Sequence, residues 1–182
     1  MNTKAAIFFA DGYEEIEALT VVDILRRAKI EIDMVSVYGT EFVKGAHDID
    51  VRMDKKLEET ELEEYGVFIL PGGMPGTKNL ENSELLLNAL EKFYAEGKLV
   101  AAICAAPSIL GHRDMLVDKT ACCFPGFEDE LTGAIVSEEA VCRDGNIITS
   151  RGMGCALDFA LEILAALRSA EEADAMADKI LY

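Results

Sequence analysis

Leu99-Val100-Ala101-Ala102-Ile103-Cys104-Ala105-Ala106-Pro107-Ser108 is the stretch whose reading decides the fold. Its apolar run has the length and character of a strand buried on both faces. Small residues follow, and Pro107 suits an early helical position, where its missing N–H costs nothing. The stretch therefore reads as strand, tight turn and helix, with Cys104 at the turn. A side chain on such a turn stands out from the carboxyl edge of a sheet, facing the amides of the next helix. This is the geometry of a nucleophile elbow, with sulfur in place of a hydroxyl. A helix N-terminus stabilises a thiolate, so Cys104 is expected to have the lowest thiol pKa of the chain and to oxidise first. The plainer alternative makes it a small buried hydrophobe, a common fate of free cysteine.

Strand and helix signals alternate on either side. Lys4–Ala10 is an apolar run closed by Asp11-Gly12, and Glu14–Ala28 has helical spacing with Glu14, Glu15 and Glu17 in its first turn. Ile30–Tyr38 reads as a strand, and Phe42–Val51 as short strands around the Gly45-Ala46-His47-Asp48 turn. Val67–Leu70 is another buried strand, broken by Pro71-Gly72-Gly73-Met74-Pro75-Gly76. Asn82 or Ser83 caps a helix that runs to about Glu96 and ends at Gly97. Lys119–Val141 is irregular, with a short strand at each end. Asp144-Gly145-Asn146 turns a hairpin into the strand 146–150, a long helix starts near Gly152, and a last one covers 170–181. The pattern predicts an α/β fold, a three-layer αβα sandwich around a mostly parallel sheet. Ligands of such sheets collect at the carboxyl edge, where Asp11–Glu15, Gly72-Gly73 and Cys104 converge.

With 182 residues, 51% hydrophobic and 28% charged, the chain is expected to form a single domain over 1–182. A net charge of −17 excludes nucleic acid or an anionic membrane as the main partner. No apolar stretch reaches the length of a membrane span, and Met1-Asn2-Thr3-Lys4 leads directly into a strand without a signal peptide, which suggests a cytoplasmic protein. The five cysteines, irregularly placed and without a Cys-x-x-Cys pair, disfavour a disulfide framework or structural zinc. With only His47 and His112 as histidines, a histidine-rich metal centre is not expected, and no cofactor is expected either, flavin binding having only fold analogy behind it.

Four motifs taken together resemble the DJ-1/ThiJ/PfpI superfamily. They are Asp11-Gly12-Tyr13-Glu14-Glu15-Ile16-Glu17, Leu70-Pro71-Gly72-Gly73, Ala101-Ala102-Ile103-Cys104-Ala105-Ala106-Pro107 and Thr149-Ser150-Arg151-Gly152. The resemblance covers nearly the whole chain and implies a flavodoxin-like sandwich, commonly a homodimer, with an oxidation-prone cysteine. Carried over by position, Cys104 is the nucleophile and Glu15 the carboxyl group that hydrogen-bonds its sulfur. Gly73 and Ala105 supply oxyanion-hole amides, with Gly72 beside them. Relatives are described as glyoxalases or deglycases of small carbonyls, as peptidases, and as oxidative-stress sensors or chaperones.

Departures from the family pattern narrow these options. Ala105 stands where peptidase-like relatives carry a histidine, and Phe124 where another family histidine lies near the pocket. Peptide hydrolysis, which needs a proton donor for the leaving amine, is therefore disfavoured. In the resembling proteins an arginine at the position of His47 reaches the partner's pocket, together with one equivalent to Arg151. His47 is either a partial replacement for that cation or an exposed turn residue. His112 is expected to stabilise a helix carboxyl end. The expected function is a cysteine-dependent enzyme or redox sensor acting on small reactive carbonyls or peroxide. The alternative is a non-catalytic, redox-regulated chaperone or interaction protein. The stripe Ile16, Leu19, Thr20, Val22, Asp23 and Leu25 is expected to contribute to the homodimer.

Overall fold

The computed structural model describes residues 4–182. The reading of Met1-Asn2-Thr3 as a direct lead into the first strand lies outside the described residues. In chain order the elements are β1 (Ala5–Phe9), α1 (Glu15–Arg27), β2 (Ile32–Ser36), β3 (Phe42–Lys44), β4 (Asp50–Arg52), β5 (Lys55–Lys56) and β6 (Val67–Leu70). There follow α2 (Gly76–Glu81), α3 (Glu84–Ala95), β7 (Leu99–Ile103), α4 (Pro107–His112), β8 (Thr120–Ala121) and β9 (Ile135–Val136). The chain ends with β10 (Val141–Asp144), β11 (Ile147–Ser150), α5 (Ala156–Leu167) and α6 (Ala170–Ile180).

Seven strands form the central sheet in the order β10-β11-β7-β6-β1-β2-β5. Every neighbouring pair is parallel except β10 with β11. The period-2 alternation of a strand sends Ala5, Ile7 and Phe9 to one face, where they pack with Val21 and Leu25 of α1 and Phe159 and Ile163 of α5. Ala6 and Phe8 go to the other, against Leu86, Leu90 and Phe93 of α3 and Ile109 of α4. Phe68 stacks on Phe93 at 3.7 Å between ring centroids and takes the edge of Phe8 at 4.9 Å. Each such buried side chain contributes about 1.5–3 kcal/mol. The flavodoxin-like three-layer sandwich is thus the fold of the chain.

Helix α1 begins where the Glu14 carboxylate caps the Glu17 amide at 2.7 Å, and Arg26 and Arg27 complement its carboxyl end. Ala18, Val21, Val22, Ile24 and Leu25 are buried, whereas Ile16 is 51% exposed. Part of the expected apolar stripe therefore packs on the chain's own sheet.

Three details differ from the sequence reading. The loop after β6 contains α2, which Pro75 and Gly76 masked. The edge strand β5 consists of two lysines and carries no apolar period; Lys55 is held by Asp33 at 3.1 Å. The helix expected near Gly152 opens as a single 3-10 turn, Met153–Cys155, before α5 proper.

Candidate active site

The turns after β1, β6, β7 and β11 meet at one end of the sheet. Cys104 follows β7 directly and has φ +66°, in the left-handed region that a non-glycine residue enters at a cost of about 1–2 kcal/mol. The surroundings impose this backbone: its amide donates to Ser150 O at 2.9 Å, and its carbonyl accepts from Phe124 N at 2.8 Å. The thiol is partly buried.

The carboxyl group at the sulfur belongs to Glu17. It hydrogen-bonds the Cys104 thiol, and its Oε2 accepts from the Gly72 amide at 3.0 Å. Glu17 is 1% exposed, and the Met153 amide also reaches it. Burial lifts the Glu17 carboxyl to about 7; hydrogen bonds from Cys104, Gly72 and Met153 oppose the lift, and the charge of Glu14 adds to it.

Glu15, the residue carried over from the family pattern, lies elsewhere. Its Oε1 accepts from His47 N at 2.7 Å, and its Oε2 pairs with His47 Nδ1 at 2.7 Å. Two residues along a helix rotate a side chain by roughly 200°, so Glu15 and Glu17 cannot serve the same atom. Glu17 shares the inward face with Val21, Ile24 and Leu25 at helical spacing, and a carboxyl in that apolar stripe was the available signal. Burial would raise the Glu15 pKa, but the side chain and backbone of His47 hold it below the usual carboxylate range. His47 is raised in return, chiefly by its hydrogen bond to Glu15.

The expectation of an unusually acidic Cys104 is also corrected. Burial first, then the charge of Glu17 and the hydrogen bond to it, push the thiol up to about 12. Amides of Gly73 and Ala105 point at the sulfur and pull the other way. Helix α4 has six residues and begins three positions later, so its dipole is weak at the sulfur. Burial also raises Cys122 to about 12 and Cys123 to about 11, so low acidity does not set Cys104 apart from them.

Gly72 is fixed by space. A Cβ there would lie 2.5 Å from Cys104 Cβ and 2.6 Å from Glu17 Oε2. Phe124 is 47% exposed, and its ring lies over Gly152, where a Cβ would sit 3.2 Å from Phe124 Cδ2 and 3.8 Å from Glu17 Oε1. The ring thus borders the Glu17 side of the site. The Arg151 guanidinium donates to Glu138 O at 3.1 Å. His112 lies between Glu81 at 2.5 Å and Glu130 at 2.7 Å, so it ties α4 to neighbouring segments, and Arg113 forms the helix cap. Ligand atoms of Glu14, Glu15 and His47 come within 4.8 Å of one another. Helix capping and the Glu15–His47 pair already account for that cluster.

A family model, the DJ-1/PfpI family, matches residues 3–166. The chain belongs to the DJ-1/PfpI family. Among curated relatives it is 34% identical to protein dj-1beta of Drosophila melanogaster, covering 100% of this chain and 98% of that one. It is 35% identical to the Parkinson disease protein 7 homolog of Danio rerio, covering 93% and 92%. Among solved structures, the oxidized DJ-1 of Toxoplasma gondii superposes with a TM-score of 0.95 at 36% identity, covering 99% of this chain and 98% of that one. As a DJ-1-type protein, the chain places Cys104 and Glu17 together at the carboxyl edge of the family's sheet. Among the described residues, no helix is long and apolar enough to cross a membrane.

Proposed function

We propose that this DJ-1/PfpI member is a cysteine-dependent enzyme acting on small reactive carbonyls, with Cys104 as nucleophile and Glu17 as its proton partner. The observation that carries this reading is the buried Glu17 carboxyl, lifted to about 7 and hydrogen-bonded to the Cys104 thiol. A group with a pKa near the working pH both takes and returns a proton efficiently. As sulfur attacks the carbonyl carbon of an aldehyde, the thiol proton passes to the Glu17 carboxylate and the C–S bond forms. The carbonyl π pair moves to oxygen, and Glu17 returns the proton there to give a hemithioacetal. Amides of Gly73 and Ala105 favour negative charge at the sulfur.

The same atoms suit peroxide. Attack of sulfur on a peroxide oxygen breaks the O–O bond and leaves a sulfenic acid, with water as the other product. Further oxidation to a sulfinate would find donors in Gly73, Ala105 and a protonated Glu17. The oxidized state of the Toxoplasma gondii structure supports this second use. A purely non-catalytic redox switch or chaperone is the competing reading. Peptide hydrolysis is weaker because Ala105 and Phe124 supply no base. The five free cysteines of the described residues fit a reducing, cytoplasmic setting.

A homodimer completes the proposal. Ile16, Leu19 and Ile49, with Leu157 and Ile180, line an open groove of about 650 Å³ beside Glu15. Ile16 and Ile49 are each 51% exposed, and burying such side chains contributes about 1.5–3 kcal/mol apiece. Light scattering at micromolar concentration should report a dimer, and a monomer would overturn this part.

Methylglyoxal tests the activity. The enzyme should complete many turnovers per chain and lose them in Cys104→Ser. Consumption that stops at one equivalent per chain would refute catalysis and leave the switch.

A further inference from the structure

Away from Cys104, the edge of the sheet brings two other thiols together. Cys142 lies on edge strand β10 directly opposite Thr149 of β11, so the two side chains share a face. Cys122, one residue beyond β8, closes on that threonine from the other side. Its amide donates to Thr149 Oγ1 at 2.9 Å, its thiol donates to Thr149 O at 3.3 Å, and its sulfur is 3.7 Å from Oγ1. A second tie joins the two segments, since the Thr120 amide, two residues before Cys122, donates at 2.9 Å to the carboxylate of Asp144, two residues after Cys142. The Cys122 thiol contacts both the thiol and the backbone amide of Cys142. Cys123 turns the opposite way, into the core on the α3 side of the sheet.

Cys122 and Cys142 thus meet beside one threonine, and a disulfide needs their Cα atoms within about 4.4–6.8 Å of each other. We propose that Cys122 and Cys142 are a second redox site, a dithiol that closes to an intrachain disulfide independently of Cys104. A two-electron oxidant such as the azo compound diamide balances the step. One thiolate adds across the N=N bond, and the second then attacks that sulfur and expels the hydrazine. The S–S bond forms as two thiol hydrogens leave the protein for nitrogen. Thr149 positions the Cys122 thiol and pairs with Cys142 across the ladder, and closure would cost it only the contacts of its carbonyl and hydroxyl with the Cys122 sulfur. Both cysteines are buried, so closure depends on opening of the edge strand and should be slower than modification of the partly exposed Cys104.

Intact-mass measurement after diamide treatment of the folded protein, with iodoacetamide trapping of remaining thiols, tests this directly. The expected result is loss of two hydrogens and of two alkylation sites per chain. Trypsin leaves all three candidates in one peptide, 120–143, so cleavage after Glu128, Glu130, Glu138 or Glu139 is needed to separate Cys122 from Cys142. The bond should persist in Cys104→Ser and in Cys123→Ser, and disappear in Cys142→Ser. A bond that vanishes in Cys123→Ser, or a folded wild type that keeps five alkylatable cysteines, would overturn the proposal. Because the readout in the wild type needs no substitution, a variant that fails to fold leaves the test intact.

Discussion

Replacing Glu17 by Gln should change stability in a pH-dependent way whose size the buried site fixes. The carboxyl is 1% exposed and lifted from 4.5 to about 7, first by burial. A folded-state pKa above the unfolded value means that the folded protein binds this proton more tightly. The resulting stabilisation is complete below about pH 4.5 and is lost as pH rises through about 7. The rise corresponds to roughly 3 kcal/mol at about 1.4 kcal/mol per pH unit. Glutamine has the same shape, keeps an oxygen for the Gly72 amide and cannot ionise. The stability of Glu17→Gln relative to wild type should therefore increase by about 3 kcal/mol between pH 4.5 and pH 8.

Urea unfolding followed by circular dichroism suits a chain without tryptophan. Protein concentration should be fixed, since self-association would enter the apparent stability. Pairs that respond in the opposite sense, such as Glu15 with His47, cancel in the difference between the two proteins. A difference constant to within about 1 kcal/mol over this range would show that Glu17 ionises freely in the fold, and the argument for it as proton partner would fail.

The same substitution should split two reactivities. Removing the Glu17 charge makes the thiol more acidic, so alkylation of Cys104 by iodoacetamide at pH 7 should rise about tenfold, while aldehyde turnover falls about a hundredfold for want of proton transfer. A parallel fall in both would assign Glu17 a merely structural role. Gly72→Ala should destabilise the protein by more than about 3 kcal/mol and displace Glu17 from the sulfur, because the new methyl would meet Cys104, Glu17 and Ile103 at once; unchanged urea midpoints would contradict the crowding. His47→Ala should lower the melting temperature most between about pH 4.5 and 6.5, where Glu15 has lost its proton and His47 keeps one, and progressively less as pH rises through the raised His47 pKa. A pH-independent decrement would mean that the pair acts only by packing.

The sheet was legible because its strands are short apolar runs ending in turn residues, and Leu99–Ile103 and Val67–Leu70 fall where the sequence places them. Legibility failed where structure depends on partners distant in sequence. Lys55 and Lys56 become a strand only because β2 offers an open edge and Asp33 a counter-charge. At the site, motif order located Cys104, Gly72 and Gly73 but could not choose among three neighbouring glutamates. The choice is a matter of helical phase. Glu14 precedes the helix and caps it, Glu15 faces the 45–48 turn, and Glu17 joins the buried stripe that ends at Leu25. Counting back from Val21 by one helical turn selects Glu17, with no alignment needed.

The acidity of Cys104 was misjudged for a related reason. A helix N-terminus lowers a thiol pKa only when its amides meet the sulfur with little competing negative charge. Here two amides do so, but burial and then the charge of the ionised Glu17 both penalise the thiolate. Aldehyde turnover in this arrangement does not require a standing thiolate. It requires a base already hydrogen-bonded to the thiol, which takes the proton as the S–C bond to the carbonyl carbon forms and returns it to the oxygen. A carboxyl lifted to about 7 is a far better base than an ordinary one, and the burial that raises the Cys104 pKa also raises that of its base. The two shifts therefore work together: the resting thiol is protected from ionisation in water, and its activation is coupled to the electrophile that arrives beside Glu17.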